Sequence, residues 1–368
     1  MKHADEYRNP ETARRLIATI LATPGEPVRV MEFCGGHTHA IMRYGLRQAL
    51  APRVRMLSGP GCPVCVTDDA DIDWAIALSR LPDLTVATFG DMLRVPGTRE
   101  SLLDARATGA SVAIVYSALD ALQMAREHPE RRVVMLGIGF ETTAPTMAAS
   151  LVQAQQEGLG NYYVLSWHKL TPPAMRAILD AGEVRVDAVL GPGHVSAITG
   201  ANSWRFLPEE YGISCAISGF EPLDMLQALQ ALVQAPGRPP QVSNSYGRGV
   251  TAEGNLVAQQ LLEQVFAVSP ARWRGLGEIP ASGLNLRPEF AAHDARAALQ
   301  VPKSLLVAGR SAQERGCRCG EVLRAVIEPS ECRLFAKACT PARPVGPCMV
   351  SGEGACAAYY RYGGALEP

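Results

Sequence analysis

The chain has 368 residues, 47% of them apolar and 19% charged, with a formal net charge of −1. That length exceeds one ordinary core and implies two or three domains. The even scatter of charge excludes a nucleic-acid footprint or a basic membrane-binding face.

The polar start MKHADEYRNPETARR lacks the apolar stretch of a signal peptide, and no apolar run reaches the roughly 18 residues of a spanning helix. A soluble, cytoplasmic protein is expected, in which ten cysteines point to metal or redox chemistry more than to structural disulfides. VRVMEF (28–33) predicts a buried strand, followed by CGGH and a helical run from Thr38 to about Leu50. RVRML (53–57) predicts the next strand and ends in the turn GPGCPVC. Asp68, Asp69 and Asp71 then open a helix, since acids are favoured at a helix N-terminus. TVATFG (85–90) and SVAIVY (111–116) continue the series, as do RRVVMLGIGF (131–140), NYYVLSW (161–167), VDAVLGPG (186–193) and ISCAISGF (213–220).

Strands alternating with helices predict βαβ units and parallel sheets. Two open, doubly wound α/β domains are expected, at 1–125 and 126–235, in preference to one closed barrel; the helical run Asp120–His128 would cross between them. After Ala235 the texture changes. PGRPP (236–240) is linker-like, a helical segment follows at Ala252–Val265, and six of the ten cysteines lie beyond residue 316. A small cysteine-rich domain at 236–368 is the reading.

In open parallel sheets ligands bind at the carboxyl ends of the strands, and the unusual residues fall there. Cys34, His37 and His39 follow the first strand; Cys62 and Cys65 follow the second. Glu141 in GFETT, His168-Lys169, His194 in GPGHVS and Gly219-Phe220-Glu221 follow later ones. An isolated cysteine is usually a small buried hydrophobe, as expected of Cys215. Gly35, Gly36 and the nearby histidines favour a site at Cys34. The CPVC pair reads first as a redox dithiol and second as metal ligands, because no second CxxC completes four donors. GFETT is weak by itself, with Thr142 or Thr143 as an N-cap and Glu141 a proton carrier only if it faces a cleft. His168 is evenly balanced between packing and a site. CRCGEVL (317–323) with Cys332, Cys339, Cys348 and Cys356 suits a [4Fe–4S] cluster or a four-cysteine zinc site, in neither ferredoxin nor zinc-knuckle spacing.

Taken together, MEFCGGHTHAI, GPGCPVCVT, GFETTAPT, HKLTPPAM, GPGHVSAI and CRCGEVL…ECRLF…C…VSGEGACAAYYRYG resemble the HypD family of hydrogenase maturation proteins, from about residue 28 to the C-terminus. The resemblance implies two Rossmann-like α/β domains around a cleft and a third domain holding a [4Fe–4S] cluster. It implies a scaffold on which the Fe(CN)2(CO) unit of [NiFe]-hydrogenases is built. A small HypC-type partner would share the iron, and HypE would bring cyanide made with HypF. By motif, Cys34 matches the thiolate that binds the nascent iron, and Cys62 and Cys65 match the redox dithiol. His37, Glu141 and His194 match cleft residues. Cys332, Cys339 and Cys356 match cluster ligands, with the fourth taken from Cys319 or Cys317 and Cys348 spare.

On this reading the cluster and the Cys62–Cys65 pair form a short relay toward iron at Cys34, on a chain that is monomeric by itself. Two alternatives stand beside it. One is a cluster-dependent thiol–disulfide oxidoreductase similar to ferredoxin:thioredoxin reductase. The other is a dinucleotide-binding protein with structural zinc, against which no G-x-G-x-x-G follows the early strands.

Overall fold

The computed structural model describes residues 5–306 and 309–363; the first four residues of the polar start and the last five of the chain lie outside it. All eight strands expected from the apolar runs form: β1 (Val28–Glu32), β2 (Val54–Ser58), β3 (Leu84–Thr88), β4 (Val112–Ile114), β5 (Arg132–Gly137), β6 (Tyr162–Ser166), β7 (Ala188–Pro192) and β8 (Ser214–Ser218). β3 and β7 are buried along their whole length, as strands covered by helices on both faces must be. A ninth strand, β9 (Val242–Asn244), and a hairpin of β10 (Phe266–Trp273) and β11 (Gly277–Leu286) complete the set. The apolar runs did not reveal these three.

The strands form two parallel sheets, ordered β2-β1-β7-β8-β9 and β4-β3-β5-β6, and the antiparallel β10-β11 ribbon. The α/β architecture with parallel, Rossmann-like sheets is therefore as expected, but the sheets do not follow a linear division at 125 and 235. The first sheet draws on residues 28–58 and 188–244, the second on 84–166. The chain leaves the first sheet after two strands, builds the second, and returns to lay β7 beside β1. The helix found at Ala118–Glu127 accordingly does not cross between units. It connects β4 to β5 within the second sheet, packing on β5 as a βαβ crossover should.

The expected helix over 38–50 begins earlier and breaks. It runs Gly35–Arg43 and restarts at Leu46–Leu50, with Gly45 between them in the left-handed region at φ +66°. Asp68 caps the helix Asp69–Ser79 by accepting from the Ala70 N–H.

Strand order reverses between β1 and β7 in the first sheet and between β3 and β5 in the second. A doubly wound sheet opens a crevice where its order reverses, outside the strand carboxyl ends. Cys34 follows β1, and the GPGHVS turn follows β7. The fold thus puts the CGGH motif at the position such sheets use for ligands. Among the described residues no helix is long and apolar enough to cross a membrane.

Candidate functional site

Cys34 is the N-cap residue of the helix Gly35–Arg43, in extended conformation (φ −152°, ψ 121°), and is half-buried. Burial, then the nearby Glu353 carboxylate, push its thiol up to about 12, while the N–H groups of His37 and Gly36 pull the other way. The free side chain is a neutral thiol at physiological pH. The helix N-terminus softens the cost of its ionisation without overcoming it.

The CPVC turn lies directly against this residue. Gly35 N–H donates to the Gly61 carbonyl at 2.8 Å, and Gly59 N–H to the Glu32 carbonyl at 2.8 Å. A methyl group on Gly61 would stand 2.3 Å from the Cys34 nitrogen, so only glycine permits this approach. Cys62 and Cys65 are joined as a disulfide with Cα atoms 5.2 Å apart, and Cys62 Sγ accepts from the Cys65 N–H. Both are closed to solvent, at 3% and 0% exposure. The pair is beside Cys34 but sealed from bulk water.

The six C-terminal thiols converge. Cys317, Cys319, Cys332, Cys339, Cys348 and Cys356 line one small cavity with Leu334, Phe335 and Met349. Among the described residues no three or more His, Cys, Asp or Glu groups gather closely enough to hold a single metal ion. Hydrogen bonds from the Cys317 and Cys348 thiols, then the charge of Arg274, pull Cys319 well below the ordinary thiol range. The same hydrogen bonds push the Cys317 and Cys348 thiols up. The turn Pro347–Met349, which carries Cys348, packs on the short helix Pro63–Val66 that carries Cys65. Arg274, at the end of the hairpin's first strand, joins the same region: its backbone N–H donates to Val66 and its Nε to Thr67, and it pairs with Asp69 at 2.6 Å.

Other cleft residues sort differently. His37 is fully buried, and its Nε2 contacts two acceptors, the carbonyls of Gly219 (3.0 Å) and Ser218 (3.3 Å). Nε2 must therefore carry the proton, which leaves Nδ1 as a bare lone pair without a partner. Burial lowers its pKa to about 4, so the ring is neutral. The rings of His37 and His194 both stack on Phe220, with centroids at 4.8 and 3.8 Å. Phe140 of the matching Gly-Phe-Glu instead packs in the core against Trp273, so the repeat serves two different surroundings. His39 fastens the C-terminal segment, its Nδ1 donating to the Gly352 carbonyl at 3.2 Å and its ring meeting Tyr362 edge-on. Cys215 is wholly buried in β8, as expected of a core thiol.

Glu141 is also buried, and both of its oxygens accept from Thr171, from N–H at 2.7 Å and Oγ1 at 2.8 Å. It anchors the first turn of the helix Thr171–Ala181. Burial raises its pKa to about 7 against an ordinary 4.5. Below pH 4.5 the group is neutral in both folded and unfolded chains. Between 4.5 and 7 only the unfolded chain ionises, so the fold loses stability as pH rises, by about 3 kcal/mol in total. Glu141→Gln should escape this loss. Its stability relative to wild type is expected to improve between pH 4.5 and 7.5 in denaturant melts, and a difference that stays flat with pH would count against the assignment.

Three acids at the crevice were not singled out from the motifs. Glu32 is buried beneath Cys34, accepting from its N–H at 3.0 Å and from Thr38 Oγ1, and burial raises it to about 8. In the sequence it stands within MEFCGGHTHAI, as an acid at the end of an apolar strand. Glu353 packs on the CGG turn, where a methyl on Gly35 would meet its Cβ at 2.5 Å. Asp91, just past β3, lies near enough for its charge to raise Glu353. The carboxyl end of the second sheet therefore faces the crevice of the first.

The HypD family model, described as "Hydrogenase formation hypA family", matches residues 11–363. The chain is 47% identical to hydrogenase maturation factor HypD of Azotobacter vinelandii, over 99% of this chain and 97% of that protein. It is 45% identical to HypD of Rhodobacter capsulatus over 99% of each chain, and 43% identical to HypD of Escherichia coli over 98% of each. A family model that matches nearly the whole chain, and relatives 43–47% identical along nearly their whole length, show that this chain belongs to the HypD family of hydrogenase maturation factors.

Proposed function

We propose that the protein is the redox-active scaffold on which the Fe(CN)2(CO) unit is assembled before transfer to the [NiFe]-hydrogenase large subunit. The observation that carries this reading is the seating of the CPVC turn on the Cys34 backbone, with the six-thiol cavity packed behind that turn. Iron, the cargo, binds the Cys34 thiolate. A soft thiolate suits a low-spin Fe(II) that must keep positions open for cyanide and CO. The partners are a HypC-type protein that shares the iron and a HypE-type protein that delivers cyanide.

Within the protein the residues divide the work. Gly36 and His37 N–H groups point at the Cys34 sulfur, and Glu32 fixes its backbone. Reducing the Cys62–Cys65 disulfide takes up two electrons and two protons and yields two thiols, a store beside the iron. The C-terminal cavity fits a [4Fe–4S] cluster, because a cubane takes one thiolate per iron and so needs donors ringing a space. Cys332, Cys339 and Cys356 would hold it with one of Cys317 and Cys319. When bound, such a cluster supplies electrons one at a time. The rival reading, a free-standing thiol–disulfide oxidoreductase, is disfavoured because a substrate disulfide has to reach a sulfur and both sulfurs are closed off. Infrared spectra of the protein isolated anaerobically with its small partner are expected to show bands of metal-bound cyanide and CO; a complex loaded with iron but lacking such bands would overturn the proposal.

A further inference from the structure

Arg274 belongs to none of the sequence motifs, yet it is buried at the turn of the β10-β11 hairpin, where two cysteine-bearing helices meet. On one side its N–H donates to the Val66 carbonyl at 2.9 Å and its Nε to the Thr67 carbonyl at 2.6 Å, at the end of the helix Pro63–Val66 that carries Cys65. On the other side Gly275, at φ +78°, lies against the helix Cys319–Leu323. A methyl on Gly275 would stand 2.4 Å from the Gly320 Cα, and Arg324 donates to the Gly275 carbonyl at 2.5 Å. One turn thus touches the residue that follows Cys65 and the residue that follows Cys319.

The backbone bond to Val66 and the contact of Gly275 with Gly320 hold this turn without any charge. The guanidinium is a separate feature. A buried cation is costly to desolvate, and an ion pair with one carboxylate repays that cost only in part. Arg274 Nη1 pairs with Asp69 at 2.6 Å, and its Nη2 has no hydrogen-bond partner among the described residues. Asp69 is itself disfavoured as an anion by burial, against the pull of Arg274. Cys319 is close enough to feel the charge of Arg274 and to act on Asp69 in turn. Arg274 and Asp69 therefore form a fixed ion pair within electrostatic reach of the C-terminal thiols.

Resting on the [4Fe–4S] reading of the six-thiol cavity, we infer that Arg274 sets the reduction potential of the centre held there, its charge favouring the reduced form and that of Asp69 opposing it. An electron arriving from a low-potential one-electron donor adds one unit of negative charge to the cavity, with no proton and no bond made or broken. A fixed cation nearby stabilises that added charge, and a fixed anion destabilises it. Burial leaves both effects weakly screened by salt, and local charge is among the factors that set such potentials. Arg274 is a positioning residue in this scheme, acting on the thiol-held group through space.

The test is a redox titration of the intact, anaerobically reconstituted protein with dithionite and mediator dyes, read by electron paramagnetic resonance after iron and sulfide have been assayed. Arg274→Gln should disfavour reduction by about tenfold in its equilibrium constant, which is about 59 mV more negative for one electron. Arg274→Lys keeps the charge and should hold the wild-type potential. Asp69→Asn removes the opposing charge and should move the potential in the positive direction. A residue that only props up the turn does not produce shifts of opposite sign for these two neutralisations. Should Arg274→Gln fail to fold, Arg274→Lys and Asp69→Asn decide the matter. The inference is overturned if Arg274→Gln leaves the potential unchanged or raises it, if Arg274→Lys shifts it as far as Arg274→Gln, or if Asp69→Asn does not raise it. A wild-type protein that takes up no iron and sulfide would overturn the cluster reading itself, and this inference with it.

Discussion

Replacing Cys34 with alanine is expected to remove every infrared band of iron-bound cyanide and CO from the complex with the small partner. The expectation follows from position. Cys34 is the half-exposed cysteine at the β1–β7 crevice, whereas the other free thiols are buried. Burial keeps its free form protonated, so on the proposed reading an arriving Fe(II) would displace the thiol proton and take the sulfur as its anchor. An alanine offers no donor, and no other free thiol stands at this crevice among the described residues. The fold should persist, because the contacts that close the turn are made by the backbone of residues 32–36 and 59–61. Circular dichroism and gel filtration check that point. Bands of wild-type intensity in the alanine variant would take Cys34 out of the mechanism.

Cys65→Ser tests the second element. Serine leaves Cys62 as a single thiol that cannot close a disulfide, so the proposed two-electron store would be lost while Cys34 is untouched. Hydrogenase maturation should fall by about a hundredfold or more, as when one member of an interdependent catalytic group is removed, and iron should still bind. The loss of a cross-link spanning so few residues removes about 2 kcal/mol of stability at most, which a folded domain of ordinary stability survives. Wild-type maturation by this variant would show that the pair is not an electron store. Iron binding and maturation separate the two variants: Cys34→Ala fails at the first step and Cys65→Ser at a later one.

Much of this was legible in the sequence because parallel strands buried on both faces read as continuous apolar runs, and eight such runs became eight strands. The turns after β1 and β2 were legible because glycine, proline and cysteine are punctuation that local chemistry explains. Pairing between strands was not. Nothing in residues 54–58 says that the chain will leave the sheet and return at 188, since hydrophobic periodicity carries no address for a partner. The hairpin escaped because its first strand alternates half-buried and exposed residues around a bulge near Ser269, a weaker pattern than an apolar run. Glu141 was recognisable as a motif residue, but its engagement by Thr171 is a tertiary fact. Glu32 stands two residues from Cys34, but Glu353 comes from a distant segment and meets the CGG turn, with Asp91 near it, only in the folded chain.

The interrupted first sheet also sets an order of assembly. β3 through β6 are contiguous in the chain and can pair as they leave the ribosome, whereas β1, paired early with β2, has to wait for β7 on its other edge. Such long-range closure is slow, and it leaves the edge of β1 open while synthesis continues. The cavity that would receive iron thus cannot exist in a nascent chain. Cargo offered too early meets separate cysteines and no crevice.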